Sequence, residues 1–157
     1  MMKIDKKIIW LTGQPGSGKT TLANLLKEHF NTSESSKDKT VVLVDGDDLR
    51  DITVNKDYSR KGRENNIKTA QKIAKFLFNK NFITIVALVA PYKELRESFK
   101  SNTPVFEIFL HTTDIRGREH FFAEDYEPPS TNYLELDTGK HSTKECISMI
   151  ISSLSEV

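Results

Sequence analysis

Residues 13–20 read GQPGSGKT and fit the pattern G-x-x-x-x-G-K-[ST] at every fixed position. Glycines in such a loop let successive backbone N–H groups point inward at a phosphate, and the following helix adds the positive end of its dipole. The Lys19 ammonium would neutralise the outer phosphates, while the Thr20 hydroxyl would ligate Mg²⁺. The motif predicts an ATP site formed by Gly13, Gln14, Pro15, Gly16, Ser17, Gly18, Lys19, Thr20 and Thr21.

A glycine turn between a strand and a helix is the structural alternative for this loop. It is disfavoured because the motif agrees with its context: the apolar run IIWL precedes the loop, and a helical pattern follows it. ATP is the expected nucleotide, because a GTP-binding protein would carry an N-K-x-D motif that reads the base. The segments NKDY (55–58) and NKNF (79–82) both miss that motif.

Three carboxylates follow the second apolar run, in the stretch VVLVDGDDLR. Asp45 ends this predicted strand, and ligands bind at the carboxyl ends of strands in open α/β sheets. Carboxylates beside a phosphate site suit Mg²⁺, or a general base that removes a hydroxyl proton during phosphoryl transfer. We therefore predict that Asp45 is a base or a metal partner. Asp48 is better explained as a cap of the next short helix, and Asp47 could serve either purpose.

The stretch YSRKGRENN (58–66) places three cations where a long helix is predicted to begin. Arg60, Lys61 and Arg63 are unfavourable there, because a helix N-terminus carries partial positive charge. A bound anion would explain them, and Arg63 and Asn66 lie three residues apart on one helical face. From charge alone, a solvated basic face is the alternative.

These residues need elements to position them, and the chain alternates buried strand patterns with helical ones. The predicted strands are residues 8–11, 41–45, 82–90, 105–110 and 133–136, and the predicted helices are residues 20–30, 59–79 and one that opens at 142. Continuous β-branched strands between helices indicate a parallel sheet covered on both faces. The expected fold is one α/β domain over residues 1–157: a three-layer, nucleotide kinase-like P-loop NTPase sandwich with a five-stranded parallel sheet.

The composition excludes several classes of protein. The 157 residues carry 23 Lys and Arg against 22 Asp and Glu, a formal net charge of +1, which argues against a general binder of nucleic acid or membrane surfaces. Cys146 is the single cysteine, so an intramolecular disulfide and a Cys-based zinc site are excluded. No apolar run approaches ~20 residues, and MMKIDKK leads into a strand pattern rather than a signal peptide. A cytoplasmic protein is expected.

The chain resembles the adenylylsulfate kinase family, ATP-dependent kinases that phosphorylate the 3′-hydroxyl of adenosine 5′-phosphosulfate. Five segments besides the phosphate loop carry this resemblance: DGDDLR (45–50), YSRKGRENNIKT (58–69), VAPYKELR (89–96), YEPP (126–129) and LDT (136–138). They are similar to the family's D-G-D-N-[VI]-R, F-S-x-x-D-R-x-E-N-I-R-R, I-S-P-[YF]-[RK]-x-x-R, Y-E-x-P and l-D-T. The likeness covers most of the chain, and DGDxxR with RxxNI at this spacing is far more specific than a phosphate loop alone.

The resemblance implies a second nucleotide site beside the ATP site. In the family, the arginines of D-G-D-N-x-R and R-x-x-N and the asparagine of the latter bind the sulfonucleotide, and the aromatic residue before the serine stacks on its base. The substrate-binding residues implied here are Asp47, Arg50, Tyr58, Arg63, Asn66 and Lys93. The anion that would explain the cations of the long helix is then the phosphosulfate, or a similar charged 5′ group, of the acceptor.

Several positions depart from the family pattern. Ala90 stands where some members carry a serine that can be phosphorylated, and Gly62 replaces an acid. The family's long lid, with K-G-L-Y-x-x-A-R and F-T-G, corresponds only to HTTDIRGREHFFAED (111–125), and loops of this kind close over substrates. Replacements within the short segment would be Phe121 or Phe122 for the stacking phenylalanine and Arg116 or Arg118 for a lid cation.

The resulting hypothesis is a Mg²⁺-dependent kinase of sulfate assimilation, with Lys19 and Asp45 catalytic and Thr20 and Asp45 at the metal. The expected acceptor is a nucleotide 5′-anhydride, with adenosine 5′-phosphosulfate first. A related kinase acting on another nucleotide, such as cytidine diphosphoramidate of capsule synthesis, is the alternative within the enzymes. A nucleotide-binding regulatory module that has lost turnover is the alternative outside them. The expected partners are small nucleotides, without nucleic acid or membrane, and a homodimer is left open.

Overall fold

Five parallel strands form one sheet in the structure, a computed structural model that describes residues 6–156. They are β1 (Ile8–Thr12), β2 (Val41–Asp45), β3 (Ile83–Ala87), β4 (Val105–His111) and β5 (Tyr133–Asp137). Their order is β2-β3-β1-β4-β5, and every neighbouring pair is parallel. The predicted sheet is therefore confirmed. The segment MMKIDKK, for which no signal peptide is expected, lies mostly outside the described residues.

Five α-helices accompany the strands in this part of the chain: α1 (Lys19–Thr32), α2 (Gly46–Thr53), α3 (Arg60–Asn79), α4 (Lys93–Asn102) and α5 (Thr143–Ser155). Short 3-10 turns lie at Glu34–Ser36 and Glu119–Phe121. The predicted capping box of the last helix is present, since the side chains of Ser142 and Glu145 each accept the other's backbone N–H. None of the helices within residues 6–156 combines the length and apolarity needed to cross a membrane.

Helices cover both faces of the sheet, as the buried residues of β1 show. Ile9 and Leu11 pack into a core with apolar residues of α1 and α5. Ile8 and Trp10 point the other way, into a core with apolar residues of α2, α3 and α4. Successive residues of a strand face opposite sides of the sheet, so the side chains of β1 are buried on both faces. The three-layer sandwich expected from the sequence is confirmed.

The sequence analysis misplaced the end of one strand and missed one helix. The third strand ends at Ala87 rather than Ala90, because the chain then leaves the sheet and Ala90 adopts a left-handed conformation with φ 44°. Helix α4 was not predicted at all. Its sequence KELRESFKSN has only two large apolar residues, Leu95 and Phe99, which pack against the core, and its one fully buried residue is Arg96.

Candidate active site

A cavity of about 550 Å³ opens at the carboxyl edge of the sheet. The parallel strands all end at this edge, so the loops that follow them converge there. Eight predicted catalytic and binding side chains line it together: Lys19, Thr20, Asp45, Asp47, Arg50, Tyr58, Arg63 and Asn66. The phosphate loop also contributes Pro15, Gly16, Gly18 and Thr21, whereas Gly13, Gln14 and Ser17 do not line the cavity.

The phosphate loop turns sharply because Gly13 passes close to β4. A Cβ atom at Gly13 would lie 2.3 Å from the carbonyl oxygen of Leu110, so no other residue fits this position. The loop then curls around Lys19, whose Nζ donates to the carbonyl oxygens of Gly13 at 2.8 Å and Gln14 at 2.9 Å. The strand, loop and helix predicted from the motif thus place one ammonium at the centre of the loop.

Lys19 is 9% exposed, and its surroundings change its acidity. Burial lowers the pKa of its ammonium to about 8, although the nearby carboxylates of Asp47 and Asp45 oppose this shift. Arg118 lowers the pKa further. An anionic phosphate at the loop would favour the charged ammonium and restore its pKa, so proton uptake by Lys19 is coupled to anion binding.

Thr20 and Asp45 meet at the floor of the cavity. The Thr20 hydroxyl donates to Asp45 Oδ2 at 3.1 Å, and Asp45 Oδ1 accepts the backbone N–H of Asp47 at 2.9 Å. The second contact makes Asp45 the N-cap of α2. The expectation that Asp48 caps this helix was therefore wrong, because Asp47 and Asp48 lie two and three residues beyond the N-cap, in the first turn of the helix, and both are exposed.

The two oxygen-bearing side chains at the floor suit a hard divalent cation. Mg²⁺ prefers oxygen ligands and usually keeps only one or two from the protein, the others coming from water and substrate phosphates. Within residues 6–156 there is no group of three His, Cys, Asp or Glu side chains that could hold a metal ion by themselves. The Thr20 hydroxyl and the Asp45 carboxylate therefore fit Mg²⁺ better than a metal that is caged by protein ligands.

The second wall of the cavity begins with Arg50, which organises the loop between α2 and α3. Its Nη1 donates to the carbonyl oxygens of Asn55 at 3.1 Å and Asp57 at 3.0 Å, and to Asn55 Oδ1 at 3.2 Å. Its guanidinium carbon lies 4.1 Å from the centroid of the Tyr58 ring. The sequence could not predict this local role for Arg50, because Arg50 binds backbone carbonyl groups, which every residue type carries.

The start of α3 separates its cations. Arg60 pairs with Glu64 at 2.9 Å and does not line the cavity, whereas Arg63 lines it and donates from Nε to the Tyr58 carbonyl at 3.0 Å. A Cβ atom at Gly62 would lie 2.1 Å from the carbonyl oxygen of Asp57. Glycine at this position, which departs from the family pattern, therefore lets the preceding loop pack directly on the first turn of α3.

Asn66 lies one helical turn beyond Arg63 and is 5% exposed. Its side-chain oxygen has no hydrogen-bond partner within the described residues. A buried amide oxygen without a partner costs free energy, so such an atom calls for an explanation. Because Asn66 lines the cavity, a donor on a bound molecule would satisfy this oxygen.

The remaining predicted residues are distributed unevenly. Lys93, implied as a substrate-binding residue, begins α4 and does not line the cavity. Of the two phenylalanines in the short 111–125 segment, Phe121 lines the cavity and Phe122 does not. Both arginines, Arg116 and Arg118, line it. An apolar wall comes from Ile67, Leu88, Val89 and Pro91. All but Leu88 lie in segments that carry the family resemblance, but the sequence analysis assigned none of the four a role in binding.

Comparison with known proteins agrees with this arrangement. The family model for adenylylsulphate kinase matches residues 5–120. An adenylyl-sulfate kinase of Bacillus licheniformis is 33% identical, over 92% of this chain and 82% of the relative. A cytidine diphosphoramidate kinase of Campylobacter jejuni is 27% identical, over 98% of this chain and 99% of the relative.

The fold has a close counterpart among solved structures. The Mycobacterium tuberculosis APS kinase CysC, solved in complex with AMPPNP and APS, superposes with a TM-score of 0.79. Its sequence is 22% identical, and the superposition covers 96% of this chain and 98% of that one. The family model over residues 5–120 and the 33% identity to the Bacillus licheniformis kinase show that the chain belongs to the adenylylsulphate kinase family, whose members are phosphotransferases with an alcohol group as acceptor.

Proposed function

We propose that the protein transfers the γ-phosphoryl group of ATP to the 3′-hydroxyl of a nucleotide 5′-anhydride, with adenosine 5′-phosphosulfate as the first candidate. The observation that carries this proposal is the composition of a single cavity. The phosphate loop with Lys19, which follows β1, and Arg63 and Asn66 of α3, with the unpaired oxygen of Asn66, all line this one cavity. Asp45, at the end of β2 and in contact with Thr20, lines it with them.

The reaction forms a bond between the 3′-oxygen and the γ-phosphorus while the γ-phosphorus separates from the oxygen that bridges it to the β-phosphate. ADP leaves with that oxygen, and the hydroxyl proton passes to a base or to solvent. Phosphoryl transfer depends mainly on positioning and on neutralising charge. Lys19 and the amides of the phosphate loop hold the triphosphate, so that the γ-phosphorus faces the acceptor side of the cavity.

Asp45 is proposed to act on the metal side of the reaction. Its Oδ2 already contacts the hydroxyl of Thr20, the residue that ligates Mg²⁺ in phosphate loops of this type. The Thr20 hydroxyl and the Asp45 carboxylate would hold Mg²⁺ together with phosphate oxygens. When bound there, the cation would supply neutralisation of the charge on the β- and γ-phosphates. General-base action by Asp45 on the 3′-hydroxyl is the variant of this role that the sequence left open.

The acceptor would be held by its charge and by its base. Arg63 offers a guanidinium to the charged 5′ group, and guanidinium groups suit tetrahedral oxyanions. Tyr58 and Phe121, which both line the cavity, each carry an arginine near the ring: Arg50 at 4.1 Å and Arg118 at 5.3 Å. An arginine that stacks on a ring restricts its motion and leaves the opposite face for a nucleobase.

A cytidine diphosphoramidate is the second candidate acceptor. It is considered because a kinase of this substrate is matched over nearly its whole length. The cytidine diphosphoramidate kinase of Campylobacter jejuni is matched over 99% of its length, whereas the adenylyl-sulfate kinase of Bacillus licheniformis is matched over 82%. The short 111–125 segment therefore occurs in a chain of nearly the same length as the cytidine diphosphoramidate kinase. Both acceptors carry a charged 5′-anhydride, so Arg63 would serve either one.

A coupled assay of ADP release would test the proposal. Purified protein with ATP and Mg²⁺ would be offered adenosine 5′-phosphosulfate, cytidine diphosphoramidate, and the matched monophosphates AMP and CMP. We expect turnover with a 5′-anhydride, at a kcat/KM well above that of its monophosphate, and a 3′-phosphorylated product by ³¹P NMR. ADP release that is the same with every acceptor and without one would contradict the proposal, and phosphorylation at another hydroxyl would contradict the assigned geometry.

A further inference from the structure

The side chain of Gln14 does not face the cavity. Its Nε2 donates to the carbonyl oxygen of Ala123 at 2.8 Å, and its Oε1 accepts the backbone N–H of Ala123 at 2.9 Å. One amide therefore satisfies both backbone groups of one residue, in the way a neighbouring strand would. Ala123 is 2% exposed and belongs to the 111–125 segment, 109 residues away from Gln14 in the chain.

A second contact holds the other end of the same segment. The Arg116 side chain donates to the carbonyl oxygen of Gly16 at 3.0 Å, to Thr138 Oγ1 at 3.1 Å and to the Thr138 carbonyl at 3.0 Å. Thr138 in turn donates from its hydroxyl to the Ser17 carbonyl at 2.7 Å. Both attachments thus end on the phosphate loop, one at Gln14 and the other at Gly16 and Ser17.

The residues between these two attachments carry the groups that reach the cavity. Arg118 and Phe121 line it, and they lie within the stretch that Arg116 and Ala123 bound on either side. A Cβ atom at Gly16 would lie 3.2 Å from Arg118 Cβ, so this stretch rests directly on the phosphate loop. Beyond Ala123, the Tyr126 hydroxyl and Thr12 Oγ1 are 3.0 Å apart, and the Glu127 N–H donates to the Pro91 carbonyl at 2.8 Å.

We propose that Gln14 is a positioning residue that fastens the 116–123 stretch to the phosphate loop and so holds Arg118 and Phe121 in place before any nucleotide binds. The short segment is then a preformed wall of the cavity, and the phosphate loop and the acceptor side move as one body. Because the wall is already ordered, acceptor binding loses less conformational entropy. The side chain of Gln14 acts through Ala123, and the assignment of Gln14 to ATP binding stays a prediction for its backbone.

Limited proteolysis of the ligand-free protein tests the fastening without reference to any substrate. Arg118 is exposed, but the bond after it leads into the 3-10 turn Glu119–Phe121, so trypsin should cleave there when the stretch detaches and opens. The isosteric variant Gln14→Met removes both hydrogen bonds, which at the lower end of their net strength corresponds to about a fivefold rise in the detached population. We expect cleavage after Arg118 to accelerate by about that factor. Cleavage after Lys37, which is exposed before β2 at the opposite end of the sheet, is the internal reference.

Gln71→Met is the matched control, because Gln71 also donates from its side-chain amide to a backbone carbonyl, that of Leu95 at 2.9 Å, and does not line this cavity. It should leave cleavage after Arg118 unchanged. Arg116→Met releases the other end of the stretch from an exposed position, so it tests the same inference even if Gln14→Met proves unstable. Unchanged cleavage after Arg118 in both Gln14→Met and Arg116→Met would overturn the inference.

The kinetic readout rests on the proposed function, since it needs an acceptor. Gln14→Met should raise the KM of the acceptor, by at most the factor by which cleavage after Arg118 accelerates, and should raise the KM of ATP by less, because Lys19 and the loop amides remain. A merely structural role for Gln14 would lower active protein without separating the two KM values. If no acceptor turns over, the proposed function fails, and proteolysis still decides the role of Gln14. If turnover occurs and cleavage is unchanged, the fastening fails alone.

Discussion

Thr20 Oγ1 donates a hydrogen bond of 3.1 Å to Asp45 Oδ2, joining the first turn of α1 to the end of β2. Thr20 lies in the helix that follows β1 and Asp45 ends β2, and these two strands are not neighbours, because β3 lies between them. Ala87, the last residue of β3, pairs with Leu11 on one side and Asp45 on the other, and its small side chain lines the cavity between them. The metal side of the site thus depends on a small residue at this strand end.

The first prediction concerns Asp45→Asn. Asparagine caps helices as well as aspartate does, so the free energy of unfolding should stay within about 1 kcal/mol of wild type. The charge is lost, however, and turnover should fall by at least about a hundredfold while ATP affinity remains similar. Asp48→Asn is the control, since Asp48 lies in the same helix turn without lining the cavity. Near-normal turnover by Asp45→Asn in the coupled assay would remove Asp45 from the mechanism.

The second prediction concerns the pH dependence of ATP binding. Burial holds the pKa of Lys19 at about 8 in the free protein, and bound phosphates favour its charged form. Binding therefore requires proton uptake once the pH exceeds 8, and ATP affinity should weaken by up to about tenfold per pH unit above it. Below pH 8 the ammonium is already charged, so this contribution to affinity is constant.

Calorimetric titration of ATP between about pH 7 and pH 9.5 measures this dependence. The variant Lys19→Arg supplies the control, because a guanidinium stays charged throughout this range. Its ATP affinity can be weaker overall, but the profile should be flat above pH 8. A wild-type profile as flat as that of Lys19→Arg would show that Lys19 does not titrate in this window.

The sequence predicted the fold and the phosphate loop because both are encoded locally. Apolar β-branched runs and a glycine loop between strand and helix need only adjacent residues. The end of β3 escaped prediction, because Leu88 to Ala90 are as apolar as the strand itself. The chain leaves the sheet there through the left-handed Ala90, whose carbonyl oxygen accepts from the guanidinium of Arg96. That contact depends on packing and not on pattern.

The long-range contacts in the site could not be predicted from the sequence for the same reason. The amide of Gln14 meets Ala123 across 109 residues, and neither residue type signals a partner. Arg50 was expected to hold a substrate anion, yet the structure gives its Nη1 to backbone carbonyls of its own loop. Whether it also contacts a substrate stays a prediction, which its variants test below.

The third prediction concerns Arg96, which is buried and joins three parts of the chain. Its Nε pairs with Glu107 at 3.2 Å, and its two Nη atoms donate to the carbonyl oxygens of Ala90 and Glu127. Arg96→Met would leave Glu107 without this partner and release both loops, so the free energy of unfolding should fall by about 3–5 kcal/mol in urea titration.

Lys100→Met is the matched control for Arg96, because Lys100 also pairs with Glu107, at 2.9 Å, but is itself partly exposed. Its loss should cost less, about 1 kcal/mol. Replacing both charges, in the double variant Arg96→Met with Glu107→Leu, should recover part of the stability lost by Arg96→Met alone, because the buried Glu107 carboxylate then no longer relies on Lys100 as its one charged partner. Equal losses in the Arg96 and Lys100 variants would contradict the joining role.

The last prediction separates the two arginines of the acceptor wall. Arg63 donates from Nε to the Tyr58 carbonyl, and its Nη atoms make no hydrogen bond with any residue that the structure describes. They are therefore available to an anion. A charge-assisted hydrogen bond contributes ~1.5–3 kcal/mol, so Arg63→Ala should weaken acceptor binding by roughly ten- to a hundredfold, with ATP affinity nearly constant. Arg60→Ala, at the same helix end but outside the cavity, is the control and should change neither affinity.

Arg50→Ala should behave differently, because Arg50 also holds its own loop. The loss of its bonds to Asn55 and Asp57 should lower the free energy of unfolding by about 1–3 kcal/mol, besides weakening the acceptor. Calorimetric titration of both nucleotides at two salt concentrations, with urea unfolding of each variant, distinguishes the two arginines. The contribution of Arg63 should shrink as salt is added, since the cavity is open and exposed charges are screened. If Arg63→Ala weakened ATP as much as the acceptor, or neither, the acceptor's anion could not lie at the start of α3.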